Sequence, residues 1–383
     1  MNTNTTFRVQ IEDATDIDTI GDMWQGLEAE CELSFFQSWS WVGTWLKSLP
    51  AWTRPRLLTA YAADKIVGLA ILVPQRVRRH GIFFSHALFL NEAGVAKYNF
   101  VVEHNGFLLK SGSEVEILTR CLQSLVAAPK RWDELFISAV RTDSPLFQIP
   151  TLSELGLRLQ VLKTSSSRYV DLAELRLSGQ DYLATLSSNT RYQIRRALRK
   201  YAEMGSVKLD VASTPQQALQ YFDKLKDLHQ TYWIAKGRPG SFANPAWEQF
   251  HRRLIDARHA HGEIQMIRLS AGETDIGYLY NFVKNAWVYA LQSGFRYDAH
   301  SAALHPGYVS HYLAIEHNLA HAAAIYDFLA GDAQYKSSLS QKEHTLAWIV
   351  LQRKRWKFML EDSMRTMVTA IRDRQAWRKY WNK

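Results

Sequence analysis

The two halves of the chain echo one another, and no other feature limits the fold so tightly. Leu57–Tyr61 followed by Lys65–Ala70 parallels Gln265–Leu269 followed by Thr274–Leu279. Each is an apolar strand, a short polar turn and a second strand with a glycine (Gly68 or Gly277) near its start. Glycine within a strand marks a bulge or a close backbone approach. At 383 residues the chain is also too long for one ordinary core. Together these features predict a duplicated α/β (α+β) unit: one domain over residues 1–165, a second over 166–345, and a basic Trp-rich helical extension over 346–383. The stretch Thr164-Ser165-Ser166-Ser167 is the expected link between the domains.

The first half reads as a strand at Phe7–Ile11, an acidic helix over 16–30 and a Trp-rich helix over 38–49, with Trp41 and Trp45 at i, i+4 on one face. Strand-like runs follow at 57–61, 66–77 and 82–90, then a helix over 114–126 and a strand over 134–139. The second half reads as a polar helix over 190–204 stopped by Gly205, a strand over 207–211, and helices over 214–234 and 245–261. Strands at 264–269, 276–283 and 287–294, a helix over 306–322 and a last buried strand complete it. That strand runs into Tyr326-Asp327-Phe328-Leu329-Ala330-Gly331-Asp332-Ala333-Gln334-Tyr335-Lys336. Strand ends that empty into glycine turns are where α/β folds put ligands, and Asp327, Tyr335 and Lys336 can shuttle a proton or hold an anion. A structural turn with a solvated lysine fits the same residues.

Hydrophobic residues at 47% and charged residues at 22% are the values of a soluble globular protein. No apolar run has the length of a spanning helix, and Met1–Thr6 has neither the charged start nor the apolar centre of a secretory signal. A cytoplasmic location is expected. Cys31 and Cys121 form no disulfide framework or metal spacing, and His259 and His261 point to different sides of a helix, so no metal is expected. The net charge of +9 is concentrated at the C-terminal end, where eleven Lys or Arg stand against four acids after Gln341. These interleave with Trp348, Trp356, Trp377 and Trp381, a pattern that suits an anionic membrane surface, such as peripheral contact at the inner membrane, or nucleic acid. A solvated helical face with docked aromatics has the same composition.

The order strand, two helices, three strands, helix, strand in the second half is that of the GNAT acyltransferase fold. Leu186-Ser187-Ser188-Asn189-Thr190-Arg191, Arg195-Arg196, Gly294-Phe295, Pro306-Gly307 and the segment Asp327–Lys336 together resemble the CelD-like family of GNAT proteins, which is associated with cellulose and other exopolysaccharide biosynthesis. The resemblance spans about residues 181–339 and extends loosely into the first half. The tandem arrangement is also similar to the Fem aminoacyltransferases, which use aminoacyl-tRNA and whose second domain ends in a Gly…Tyr/Phe-Lys element. These resemblances imply two tandem GNAT-like domains, the first degenerate and the second catalytic. They imply acyl-CoA (acetyl-CoA) or an acyl carrier protein as donor and a cell-envelope or exopolysaccharide-related acceptor, such as a glycan precursor. A Fem-like enzyme would instead take its acyl group from aminoacyl-tRNA. A non-catalytic scaffold in polysaccharide synthesis is a third reading.

In the GNAT fold the donor pyrophosphate rests on backbone N–H groups at a helix start, which here implicates Ser301, Pro306 and Gly307. The usual pattern Arg/Gln-x-x-Gly-x-Gly/Ala is missing from Arg296–Tyr308. Arg191, Arg195 and Arg199 share one helix face with few acids nearby, so an anionic partner is expected there: a nucleotide phosphate, tRNA or an acidic carrier protein. Tyr335 occupies the place of the GNAT general acid. Lys336 matches the Fem-type lysine that holds a carboxylate or the transition-state charge. Asp327 either orients Lys336 and accepts a proton or only fixes the turn. His229 and Trp233 would line the acceptor pocket, although a lone helical histidine is more often structural. No Gly-x-Ser-x-Gly, Walker or Cys/His metal pattern occurs, which leaves hydrolase, ATPase and zinc chemistry unsupported.

Overall fold

The computed structural model describes residues 7–79, 83–98, 100–128, 132–297 and 304–361. The first half supplies β1 (Phe7–Asp13), α1 (Ile17–Glu28), α2 (Trp39–Leu46), β2 (Arg56–Ala62), β3 (Lys65–Arg79), β4 (Phe83–Leu90), β5 (Leu108–Leu109), α3 (Glu114–Ala127) and β6 (Glu134–Arg141). Strand β7 (Leu157–Asp171) and helices α4 (Leu172–Ser178), α5 (Tyr182–Thr185) and α6 (Ser188–Met204) lead into the second half. There follow β8 (Val207–Val211), α7 (Pro215–Ala235), α8 (Pro245–Arg258), β9 (Ile264–Ala271), β10 (Thr274–Lys284), β11 (Trp287–Phe295) and α9 (Pro306–Ala320). Strand β12 (Ile325–Ala330), helix α10 (Gln334–Leu339) and strand β13 (Lys342–Arg353) close it.

Local chemistry sets most helix starts. Asp16, Ser187, Thr214 and Asn244 each accept a backbone N–H of the first turn of α1, α6, α7 and α8, and Pro215 and Pro245 occupy first helical positions. The halves repeat the same plan. Strands β1 to β4 are antiparallel with β6 parallel to β4, and β8 to β11 are antiparallel with β12 parallel to β11. Two helices join the first and second strands of each plan, and one helix precedes each parallel partner. The echo in the sequence is therefore a structural duplication.

The two sheets merge by exchanging their last strands. Across the sheet the order is β1-β2-β3-β4-β6-β13-β7-β12-β11-β10-β9-β8, with β5 added beside β3. Strand β7, continuous with the first half, pairs with β12 of the second, while β13 returns from the second half to pair with β6. The two exchanged strands pair antiparallel along their length, from Lys342↔Tyr169 to Arg353↔Leu157. Two expectations change here. Thr164–Ser167 is no loop but the interior of β7, opposite Ala347, Leu346, Thr345 and His344. Residues 346–353 are not helical but belong to β13, where Leu346, Ala347 and Ile349–Leu351 are buried as a near-continuous apolar run, as befits a central strand. Helical structure resumes only at 356–361, and the basic stretch after it lies outside the described residues. Among the described residues no helix is long and apolar enough to cross a membrane.

One core spans both halves. Helices α1 and α2 pack with α7 and α8 over one face of the merged sheet, burying Trp24, Phe35, Phe36, Trp41, Phe222, Phe250 and Phe282. Phe35 stacks on Phe282 at 4.2 Å, and Trp41 meets Phe250 edge-on at 4.8 Å. Beside them Lys284 pairs with Glu28 of the first half at 3.0 Å and Glu263 of the second at 3.1 Å. The opposite face is divided between α3 in the first half and α4–α6 and α9 in the second.

The 356–361 turn is tied down through Arg79, whose guanidinium bonds Glu361 at 2.7 and 3.0 Å and Glu134 at 2.7 Å. Glu134 is fully buried and also accepts from Gln352 Nε2 at 2.9 Å and from Ser85. Arg79→Met would leave that carboxylate without its counter-charge. Breaking one side of a buried pair costs about 3–5 kcal/mol, so a fall of that size in chemical-denaturation stability is expected. An unchanged midpoint would show that the pair contributes nothing.

Candidate active site

Strands β11 and β12 run parallel for three residue pairs, Trp287–Tyr289 beside Ile325–Asp327, and pair no further. On its other side β12 bulges between Asp327 and Ala330 against β7. Leu329 sits at φ +60° in the bulge, a conformation that costs an L-residue about 1–2 kcal/mol. Asp327 supports it. Its buried Oδ1 accepts the Leu329 N–H and the Ser167 hydroxyl, both at 2.7 Å. Its Oδ2 lies 3.2 Å from His104 Nε2, within ion-pair reach but off the line of a good hydrogen bond. Burial pushes the Asp327 carboxyl up, yet His104, Ser167 and the Leu329 amide outweigh it and hold the group below the usual carboxylate range. Glu103, the neighbour of His104, accepts the Ala330 N–H at 2.6 Å, and burial raises its carboxyl.

Lys336 reaches back from α10 to the same bulge. Its buried Nζ donates to the carbonyls of Leu329 at 3.0 Å and Ala330 at 2.7 Å. An ammonium has three N–H bonds, and the third has no protein acceptor among the described residues. Burial lowers the ammonium from its ordinary range against the opposing pull of Glu103, Asp327 and Asp332. Gly331, at φ +129°, makes room: a Cβ there would stand 3.4 Å from Nζ. Tyr335 stacks on His311 at 5.1 Å and meets Phe328 edge-on. Burial pushes its phenol well above the ordinary value, so it holds its proton at neutral pH. His311 is 3.0 Å from the Tyr326 hydroxyl through Nδ1, and burial brings it down to about 3.

The structure thus brings Asp327 and Lys336 to one bulge, packs the Tyr335 ring on His311 and Phe328 instead, and separates the other expected residues from them. Arg191 donates to the carbonyls of Ala184 at 3.1 Å and Leu186 at 2.5 Å, bracing α5 against α6. With Arg195 and Arg199 it borders an open groove of about 540 Å³ on α6, a helix that packs on α9, β8 and β9. Both nitrogens of His229 are engaged, Nδ1 with the Ser293 carbonyl at 3.1 Å and Nε2 with the Ser241 N–H at 3.3 Å. This ring latches α7 to β11, with Trp233 alongside at 5.9 Å. Pro306 and Gly307 open α9, whose N-cap His305 makes no side-chain hydrogen bond. Pro306 has no N–H, and the Tyr308 and Val309 N–H groups bond the His305 carbonyl at 2.9 and 3.3 Å, so of the first turn the Gly307 N–H is the one with no acceptor among the described residues. Ser301 lies outside the described residues.

Sequence reasoning missed Glu103, His104 and Ser167, which reach the β12 bulge from the first half and from β7. The only local signal is the polar run Glu103-His104-Asn105-Gly106 directly after apolar Phe100-Val101-Val102. His104 also lines a cavity of about 620 Å³ built by residues of both halves. No group of His, Cys, Asp or Glu able to hold a metal ion occurs among the described residues.

No curated protein sequence is similar enough to count as a relative. The whole chain resembles solved structures at low identity. FemX superposes with a TM-score of 0.58 at 11% identity, covering 89% of this chain and 96% of that one. The C-terminal domain of a putative lysylphosphatidylglycerol synthetase from Agrobacterium fabrum gives 0.51 at 11%, covering 92% and 97%. L-PGS from Bacillus licheniformis gives 0.50 at 10%, covering 90% and 94%. Residues 188–337 match the family described as acetyltransferase (GNAT) domain. That span contains β11, the start of α9, β12 and the Tyr335–Lys336 pair, so the chain carries a GNAT-type acyltransferase domain in its second half.

Proposed function

We propose that the second half transfers an acyl group from acyl-CoA to an amine or hydroxyl of a cell-envelope or exopolysaccharide precursor, and that the first half helps to enclose the acceptor. The observation that carries this reading is Lys336, a buried ammonium fixed by the Leu329 and Ala330 carbonyls with one N–H left to give. Bonded to the part of β12 that lies beyond its pairing with β11, it can stabilise negative charge that develops on an acyl oxygen. Tyr335, in the place of the GNAT general acid, carries a phenolic proton that the leaving thiolate can take, and burial makes it a weaker acid than free tyrosine. The start of α9, through the Gly307 N–H and the positive end of the helix dipole, can receive the donor's pyrophosphate. The CelD-like resemblance of the segment Asp327–Lys336 supports the envelope or exopolysaccharide acceptor and a cytoplasmic enzyme working close to the inner membrane.

A second reading, transfer from aminoacyl-tRNA, is favoured by the Arg191–Arg195–Arg199 groove and by the whole-chain likeness to FemX. Titration separates the two. Acetyl-CoA is expected to bind saturably, to raise the melting temperature, and to release free thiol when a panel of amino sugars and amino acids is added. Absence of binding and of thiol release would reject the acyl-CoA reading. Salt-sensitive binding of aminoacyl-tRNA with loss of its aminoacyl group would put the second reading in its place.

A further inference from the structure

The cavity beneath His104 has the chemistry of an acceptor pocket with its own base. Its walls come from both halves and include the aromatic faces of Trp287 and Tyr289. Its carboxylates are Glu32, Glu114 and Asp143, of which Asp143 is paired with Arg141. Two acids therefore remain without a cation from the wall, an arrangement that favours a positively charged guest. The volume of about 620 Å³ suits a single sugar or amino acid.

His104 is built into this pocket with unusual constraint. It is 5% exposed, its backbone is held at φ +48°, and the Ser34 hydroxyl fastens its carbonyl at 2.9 Å. Non-glycine residues kept in that conformation cluster at working sites. Its Nε2 is sealed against Asp327 at 3.2 Å, and Asp327 is itself fixed by Ser167 and the Leu329 amide. The negative charge of Asp327 beside Nε2 favours a proton on that nitrogen, which leaves the Nδ1 lone pair as a proton acceptor. The same Asp327 braces the bulge whose carbonyls hold Lys336.

We propose that this cavity receives an amine acceptor and that His104, oriented by Asp327, takes its proton. The inference rests on the acyl-CoA reading above. The bound ammonium first passes one proton through Nδ1 of His104 to solvent, and the neutral amine nitrogen then bonds to the acyl carbon as a second N–H proton passes to Nδ1. The carbon–sulfur bond breaks, and the thiolate leaves with the phenolic proton of Tyr335. Both residues are restored by exchange with solvent: His104 gives up its proton and Tyr335 takes one, for a net release of one proton per ammonium acylated. His104 is then a catalytic residue, and Asp327 is a positioning residue.

The test uses the full chain. His104→Gln, with His104→Asn as a second variant, is expected to slow amine-dependent thiol release from acetyl-CoA by about 10²–10⁴-fold, with acetyl-CoA affinity and melting temperature held. Wild-type rates in both variants would overturn the inference and leave the acyl-CoA reading standing. In the unmodified protein, diethyl pyrocarbonate followed by peptide mass mapping is expected to label His104, and millimolar glucosamine to protect it. If the wild-type chain neither binds acetyl-CoA nor releases thiol, the acyl-CoA reading fails, and the labelling decides the pocket by itself: an unlabelled or unprotected His104 rejects it.

Discussion

Replacing Lys336 by methionine is expected to reduce acyl transfer by about 10²–10³-fold, the cost of losing one preorganised donor to a developing oxyanion. Methionine keeps most of the side chain's length and apolar stem but removes the ammonium that holds the β12 bulge. Two carbonyls, those of Leu329 and Ala330, then lose their donor in a buried setting. An unsatisfied buried acceptor costs about 1–3 kcal/mol, while the variant is relieved of burying a charge, so the net change in stability is small beside the change in rate. Acetyl-CoA affinity should stay within a few-fold, because the loss is one of transition-state binding. The pH dependence of stability offers a separate check. Burial lowers the folded-state pKa of Lys336 below that of the unfolded chain. The charged form therefore opposes folding at neutral pH, and that penalty fades as pH rises through the folded value into the alkaline range. The wild type should gain stability over Lys336→Met across this window. A folded Lys336→Met enzyme with wild-type turnover would remove Lys336 from the chemistry.

The part of this site that could be read from the sequence is the part that is local. Asp327, Gly331, Tyr335 and Lys336 lie within ten residues of one another, and the roles of strand end, turn and helix start are written in their types. The Asx-like contact of Asp327 with the Leu329 amide is likewise a short-range interaction. Helices with a cap and a period, such as α7 behind Thr214 and Pro215, could be placed for the same reason. His104 and Glu103 could not, because what makes them important is the distant strand they touch. Ser165, Ser166 and Ser167 misled for a related reason. Small polar residues favour turns in isolation, but here each has a cross-strand partner on β13, and Ser167 is fully buried to serve Asp327. Tertiary pairing overrode local preference. The apolar run of β13 looked like the docked face of a helix for want of any sign that β6 and β7 would flank it.

That exchange of strands has the second large consequence. The matched span 188–337 contains neither β7 nor β13, so by itself it would present an unpaired β12 edge. A longer fragment, residues 154–361, keeps β7 and β13 but exposes the edge of β13 that β6 covers, together with the apolar surface on which Phe35, Phe36 and Trp41 rest. The complementary fragment, residues 7–153, exposes the matching edge of β6 and those same aromatics. Exposed central strands and large apolar patches lead to aggregation rather than to a folded monomer. Each fragment expressed alone is therefore expected to be insoluble or to lack a cooperative denaturation transition. Expressed together, the two should co-purify as a one-to-one complex and recover acetyl-CoA binding, because the break falls outside any strand, in the turn before β7. A soluble, cooperatively unfolding 154–361 that binds acetyl-CoA without its partner would show that the second half is self-sufficient. It would also remove the physical reason for His104 and Glu103 to have been drawn into the site, since both reach the β12 bulge only when the first half is in place.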